Sequence, residues 1–589
     1  MNTSLTNRHC NTISAVLSFR KTTILISIIL IIFLCSMISP VVSKADRVQV
    51  SDQWFHENSD SIGLSYSAQL GVEEETVSGK ILGNSGVYVG DVDNHGKPEV
   101  LLIGDTQPTL FRNEGGRFYR EDTFPELNSK IQSALFVDYS GDGYQDLVFV
   151  PKTGRISLFK NYQGLYQLDH RLDTPLIQLG MEITAGDFSG NGCPDLIIVQ
   201  NQSYHDKTPA RKKLFRKGYD IGRLLPREDN GNRNFHLRGN CETYKPVQSK
   251  TFKRSHWSFA ASAADFTGDG HLDVHVANDF FNDSLYINQG DGSFRHRYLG
   301  FDTNRNGMSS TLADFNQDGL PDVFVSNIVL DPELTIFDRR KLSDASSTFE
   351  GNNLLLNNGD GQLRDQSAKY SVKGNGWAWG ATVGDFNYDG RRELIQALRD
   401  YLGSPEAMGN LRYDKIKSEK LISDTGIRRN TVGESLRKNI EDWIAYPAVW
   451  TFGDTGDFRR INSRSVGFKP MNARGVAQLD ASGDGGLDLI FSQPDQSFQF
   501  YENIADSNSG WVTVRVSSPF KGGKLIVHQG SFKRIIPVSV RSDFHSQDTP
   551  YYQFALPEPT DTVTVEMVRP NGTRTRLQKI YPGSTVRVP

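Results

Sequence analysis

Short runs of β-forming residues recur along this chain, and polar stretches of one recurring kind separate them. SALFV, ITAG and STLA lead into such stretches, and DLVFVP, DLIIVQ, DVFVSN and DLIFSQ leave them. Apolar, β-branched runs bounded by Asp, Asn and Gly predict strands joined as hairpins. A second pattern, SLYINQGDGSF at 284–294 and NLLLNNGDGQL at 353–363, predicts a strand, a Gly-rich turn and another strand. One region departs from the β pattern. Within 398–446, Leu436, Ile440 and Trp443 recur at helical spacing.

The polar stretches share one register: Asp, any residue, an oxygen-bearing residue, any residue, Asp or Asn, Gly, two residues, then Asp or Glu. They begin at 91, 138, 187, 265, 314, 385 and 480. The oxygen-bearing positions are Asp91, Asp93 and Glu99; Asp138, Ser140, Asp142 and Asp146; Asp187, Ser189, Asn191 and Asp195; Asp265, Thr267, Asp269 and Asp273; Asp314, Asn316, Asp318 and Asp322; Asp385, Asn387, Asp389 and Glu393; and Asp480, Ser482, Asp484 and Asp488. So many hard oxygen donors at alternate positions suit a hard cation, calcium above all, as in the first half of an EF-hand loop. Glycine at the sixth position allows the sharp turn such a loop needs. The flanking strands place each loop at a hairpin tip, where an EF-hand has helices. The loops at 138, 265, 314 and 480 carry acids at positions one, five and nine. Asn191 replaces one acid in the loop at 187, and Glu393 ends the loop at 385. The loop at 91 has His95 at position five, so calcium binding is expected to be weakest there.

The loop starts lie 47, 49, 78, 49, 71 and 95 residues apart. About fifty residues suits one four-stranded propeller blade, and longer gaps read as blades with insertions. The expectation is an all-β chain: a seven-bladed β-propeller, closed so that no sheet edge is exposed, with calcium-binding hairpin loops and a small C-terminal β-rich domain.

Composition adjusts this picture at the margins. Glycine at 54 residues and aromatics at 11% agree with turn-rich β structure, and a net charge of −4 gives nucleic-acid binding no support. Residues 1–45 begin basic and continue with the uncharged run TTILISIILIIFLCSMISPVVS at 22–43. That pattern reads as a signal peptide cleaved after Ala45 or as a retained anchor, with residues 46–589 exported. The protein is therefore expected to be secreted, periplasmic or at the cell surface, touching membrane only through residues 22–43. Beyond this segment lie two cysteines, Cys193 and Cys241, which in an oxidising compartment form one disulfide or stay as two buried thiols.

The loops, with NQGDGSF and NNGDGQL, resemble FG-GAP/VCBS repeats, the propeller repeats of integrin α-chains and many secreted bacterial proteins. The segment SDFHSQDTPYYQFALPEPTDTVTVEMVRPNGTRTRL at 542–577 resembles the ASPIC/UnbV domain, with RPNG and FALP standing at its diverged turn and strand. The two together, over about residues 75–589, resemble the cartilage acidic protein family. The resemblance implies a propeller over 46–503, with insertions near 205–255 and 398–470, and an ASPIC/UnbV domain over 510–589. The vertebrate members add a cysteine-rich module for which this chain has too few cysteines.

Other features admit two readings each. The basic insertion 205–255 is a ledge for an acidic glycan, phosphate or headgroup, or a solvated loop. The helical 398–446 segment caps the propeller mouth or packs on its flank. Trp377 and Trp379 stack on a sugar ring or pack between blades. The sequons in the part expected to be exported are Asn201, Asn282 and Asn571. No HExxH, GxSxG, P-loop or paired CxxC is present. The expected function is binding or adhesion to a protein or glycan. The rivals are an extracytoplasmic enzyme centred on the channel and an assembly scaffold.

Overall fold

The computed structural model describes residues 53–589 except 65, 67–84, 105–106, 128, 174–176, 179, 202–232, 249–251, 253–256, 280–281, 300–305, 328–350, 375, 400–444, 453–457, 495–496 and 506–509. Residues 1–45, expected to be a signal peptide or anchor, most of the basic insertion and most of the segment expected to be helical lie outside the described residues. Among the described residues no helix is long and apolar enough to cross a membrane.

Between residues 55 and 503 the strands form successive small antiparallel sheets. The first uses Gly86–Gly90, Glu99–Ile103, Thr109–Asn113 and Phe118–Arg120, and the second Ile131–Val137, Asp146–Pro151, Ser157–Tyr162 and Leu165–Arg171. The third comprises Gly180–Gly186, Asp195–Gln200, Phe235–Gly239 and Tyr244–Pro246, and the fourth Trp257–Ala264, Asp273–Asp279, Ser284–Asn288 and Phe294–Tyr298. Thr311–Ala313, Asp322–Val325, Asn353–Asn357 and Leu363–Asp365 make the fifth. The sixth is Trp377–Gly384, Glu393–Arg399, Ala448–Phe452 and Phe458–Ile461. Its last two strands lie within the 398–470 stretch, because the apolar run AVWTF pairs with Glu393–Gln396. The seventh takes Val476–Leu479, Asp488–Phe491 and Gln499–Asn503 and borrows its outermost strand, Phe55–Glu57, from the beginning of the described chain.

The arrangement is propeller-like. First strands of successive sheets lie side by side, and Val476–Leu479 returns to Gly86–Gly90. Buried side chains between sheets supply the core: Val87, Val89, Leu479 and Ile490 join the seventh sheet to the first, and Leu135, Val148, Ile183 and Ile198 join the second to the third. Second strands such as DLVFVP, DLIIVQ and DVHVAND are buried along their whole length because both faces meet a neighbouring sheet, so they read as continuous apolar runs without alternation.

Residues 510–589 form two further sheets. One pairs Gly510–Val516 with Tyr551–Leu556 and, in parallel, with Ser584–Val588. The other orders Phe532–Pro537, Lys524–Gln529, Val563–Val568 and Arg574–Ile580. Alternating residues such as Val512, Val514, Leu525, Val527, Val565 and Met567 pack between them.

Between these sheets the chain leaves its own domain and enters the ring. Ser546–Gln547 pairs in parallel with Val87–Tyr88 on the first sheet. Residues 543–549 then meet the first strand of each of the other sheets, as described below. The approach is close enough to require glycine. A Cβ on Gly475 would stand 2.5 Å from the His545 carbonyl oxygen, and one on Gly380 would stand 3.0 Å from that of Phe544.

Candidate functional site

Each acidic loop joins the first and second strands of its sheet. Two backbone positions turn it. Glycine at position six has positive φ throughout, from +80° at Gly390 to +93° at Gly270. Position four is also left-handed, as Gly141, Gly190, Gly268 and Gly483 and, without glycine, as Asn94, Gln317 and Tyr388. The second requirement is written in the sequence as a recurrent glycine that the sixth-position rule alone does not explain.

The first-position carboxylate gathers the backbone of its own loop. Asp138 Oδ1 accepts the Gly141 and Asp142 N–H groups at 2.7 and 3.1 Å, and Oδ2 accepts Gly143 at 2.9 Å. Asp265 repeats this with Gly268, Asp269 and Gly270. The fifth-position side chain accepts the N–H two residues on, as Asp142 does from Tyr144 and Asp318 from Leu320. The ninth carboxylate is the deepest: Glu99, Asp146, Asp195, Asp273, Asp322 and Glu393 have no exposed surface. One Asp146 oxygen accepts the Ser140 N–H and the other that of Asn161. Asp273 and Asp322 likewise accept from Asn288 and Asn357.

Those asparagines, at the ends of third strands, lock neighbouring sheets. The Asn161 Nδ2 donates to the Val92 carbonyl of the first sheet's loop at 2.7 Å. Asn288 donates to Phe188, Asn357 to Phe266, Asn503 to Phe386, and Asn113 to Ala481. Each reaches the second loop residue of the preceding sheet, and the last of these ties spans the first and seventh. Sequence reasoning treated this Asn only as part of a Gly-rich turn. A signal was available: it stands 15 residues after the ninth carboxylate in the loops at 138, 265 and 480.

Crowded, buried carboxylates resist ionisation. Burial pushes Asp146 and Asp273 up to about 7, and Asp195, Asp314 and Asp480 up to about 6, with neighbouring loop acids adding to the shift in Asp146, Asp273, Asp314 and Asp480 and backbone N–H groups opposing it. Asp322, Asp385, Glu393 and Asp488 are also raised well above the ordinary carboxylate range, for the same first reason. Several loop oxygens are buried and partnerless: the third-position hydroxyls of Ser140, Ser189 and Thr267, and Oδ1 of Asp187 and Asp385. A divalent cation held by these oxygens would satisfy both features, and hard oxygen donors fit calcium. The loop at 91 differs. His95 Nδ1 lies 2.6 Å from Asp93 Oδ1, and Asp91 Oδ2 is taken by Arg515 at 2.7 Å and the Tyr551 hydroxyl at 2.6 Å.

The axial segment 543–549 is the feature sequence reasoning missed. Asp543 Oδ1 accepts the Ser310 N–H at 2.9 Å, while Oδ2 accepts the Thr311 hydroxyl at 2.6 Å and the Ala381 N–H at 3.1 Å. Asp548 accepts from Gln478 N–H and the Thr382 hydroxyl. Gln547 pairs twice with the Phe136 backbone, and His545 N–H donates to Glu182. Phe544 stacks on Trp379 at 5.0 Å and tilts against Phe259 at 5.7 Å. The cavity left beside Asp543 and Asp548 measures about 30 Å³, room for roughly one water. A polar cluster does converge here, Tyr88, Glu182 and His545, but all three are buried and both Glu182 oxygens are spent on the Ile183 and His545 N–H groups.

Trp379 is fully buried between Phe544 and the Arg474 guanidinium, and Trp377 stacks on it at 5.4 Å. Sugar stacking by Trp379 is thereby excluded, because the axial segment covers the ring. Cys193 and Cys241 are joined in a disulfide, Cα atoms 5.2 Å apart, which ties the loop at 187 to the hairpin that ends the third sheet. Asn201 is buried, whereas Asn571 stands exposed at a turn.

The chain carries FG-GAP-like repeats: that family matches residues 91–149, 265–325 and 343–395. No relative was found among curated proteins. Solved structures with partial likeness include an Agrocybe aegerita lectin described as recognising non-reducing terminal N-acetylglucosamine. It is 17% identical, with 54% of this chain and 75% of the lectin covered and a TM-score of 0.33. Saccharomyces cerevisiae Sqt1 is 9% identical, with 72% and 97% covered and a TM-score of 0.36. BBS1N, solved with ARL6DN, is 8% identical, with 72% and 92% covered and a TM-score of 0.37. Scores this low carry no argument about function.

Proposed function

We propose that this chain is an exported, calcium-stabilised, seven-bladed β-propeller that acts as a binding module for a protein or glycan. The observation that carries the reading is the axial segment. The channel, where a propeller enzyme would place its chemistry, is occupied by the chain's own residues 543–549, whose Asp543 and Asp548 carboxylates and His545 N–H are paired to the inner strands. Ligand contact then falls to the hairpin tips, the outer strands and the insertions. The partnerless buried oxygens of Ser140, Ser189, Thr267, Asp187 and Asp385 support calcium in the loops, and the Cys193–Cys241 disulfide supports an oxidising compartment. The resemblance of 542–577 to the ASPIC/UnbV domain, and of the whole to the cartilage acidic protein family, agrees with this reading.

The test joins stability to binding. The full chain is melted with calcium and with excess chelator, then applied to glycan and extracellular-protein arrays in both states. A lower melting midpoint in chelator, restored by calcium and not by magnesium, together with calcium-dependent retention on the array, is the expected result. An unchanged midpoint removes calcium from the reading. Turnover of a captured glycan or peptide replaces the binding module with an enzyme.

A further inference from the structure

The loop at 91 differs from the other six in its donor set. Calcium wants six to eight hard oxygens and discriminates against nitrogen. Here the fifth position, acid or amide elsewhere, is the imidazole of His95. One oxygen of Asp91 is already committed to Arg515 and Tyr551, while Oδ1 accepts the Gly96 N–H at 3.3 Å and lies 3.6 Å from His95 Nδ1. Asp93 Oδ1 lies 2.6 Å from the same nitrogen. The fourth group points in from below. Glu99 is fully buried; its Oε2 accepts the Val92 N–H at 2.8 Å, while Oε1 has no hydrogen-bond partner and lies 3.8 Å from His95 Nε2. One ligand atom from each of Asp91, Asp93, His95 and Glu99 falls within 4.8 Å of the other three, the only such His/Cys/Asp/Glu group among the described residues. A compact set of one imidazole and carboxylates matches the preference of borderline divalent ions for low coordination number and mixed N/O donors.

We infer that Asp91, Asp93, His95 and Glu99 form a site for a divalent transition ion of the zinc or cobalt class, distinct from the calcium loops of the same register. The assignment deepens the calcium-propeller reading at one loop, and its test is separable from that reading. Arg515 and Tyr551 belong to the C-terminal sheets, so an ion held at Asp91 also strengthens the junction between those sheets and the first sheet of the ring.

Cobalt is the probe, because its visible absorption reports ligand type and geometry. The full chain in excess calcium is titrated with Co²⁺, alongside His95→Asn and His95→Asp. The unaltered chain is expected to bind one tightly held equivalent with a visible band, displaced by Zn²⁺. His95→Asn is expected to lose the band and to weaken cobalt binding on the order of tenfold or more. His95→Asp completes the oxygen register and is expected to lose cobalt while gaining one calcium equivalent. Melting midpoints without cobalt check that both variants fold; His95 is 40% exposed, so neither change opens a core cavity. Absence of a cobalt equivalent in the unaltered chain, or an unchanged band in His95→Asn, overturns the inference. The calcium reading fails by a different sign, a melting midpoint indifferent to chelation, and leaves the cobalt band readable.

Discussion

A loop of this kind is governed by backbone freedom as much as by its acids. Gln317 stands at position four of the loop at 314 with φ +60°, where four of the other loops have glycine, and its side chain is exposed. A left-handed conformation costs a non-glycine residue about 1–2 kcal/mol. Gln317→Gly is therefore expected to raise stability by up to about 1 kcal/mol, after the extra freedom of the unfolded chain is subtracted. Gly319→Ala should do the reverse, since φ is +86° and its Cβ would press on Ile535 Cδ1 at 3.2 Å. Urea unfolding of the two variants checks both signs. An unchanged or lower midpoint for Gln317→Gly would mean that its side chain matters more than its backbone.

At the scale of the element, hairpin loops and third-strand asparagines act as one device. The ninth carboxylate holds its own loop through one oxygen and the third strand through the other, and the asparagine passes the hold to the preceding sheet. Asn357→Ala removes the donor to the buried Phe266 carbonyl and the acceptor for Gly359 N–H. Leaving a buried partner unsatisfied costs about 1–3 kcal/mol, whereas the exposed Gln362→Ala is expected to move stability by less than about 0.5 kcal/mol. Thermal melts of the pair make the comparison. The hairpins themselves were legible, because strand runs, loop acids and glycines are all local signals. The asparagine ties were harder to see, since the donor and its acceptor lie 69 to 368 residues apart.

For the whole molecule, the decisive element is the axial segment. Asp543 joins the fifth and sixth sheets through Ser310, Thr311 and Ala381. Asp543→Ala leaves three buried N–H groups, those of Ser310, Ala381 and Phe544, and the Thr311 hydroxyl unpaired and is expected to cost more than about 3 kcal/mol, with ring and C-terminal sheets loosening together in hydrogen exchange. Loss of protection confined to residues 510–589 would show instead that the ring does not depend on its plug. The pH dependence has two limbs. His545 and His275 are held down to about 3 and His236 to about 4 by burial, so their contribution is complete above 6.5 and is lost as pH falls toward those values. The loop carboxylates are raised to about 6–7, so in chelator their folded-state charge costs stability as pH climbs from about 4 through 7. A bound cation removes that second penalty. Melting midpoints in chelator should thus fall on both sides of a narrow optimum, and calcium should flatten only the alkaline side. An alkaline limb that persists in saturating calcium would detach the carboxylates from the ion.

What this sequence determined unaided was local: where strands begin, which loops crowd oxygens, where glycine turns the chain, and by their spacing that the units repeat. Hydrophobic runs and loop chemistry act over a few residues, so they can be read in order. Tertiary structure alone decided the rest. It brought Phe55–Glu57 to finish a sheet whose other strands end at Asn503, set Asn161 against Val92, and sent residues 543–549 to the axis, where Phe544 covers the tryptophan that a strand pattern left open to sugar. Those pairings join residues from 69 to several hundred positions apart. Each is selected by the burial and hydrogen-bond satisfaction of the closed ring, and no local pattern encodes that.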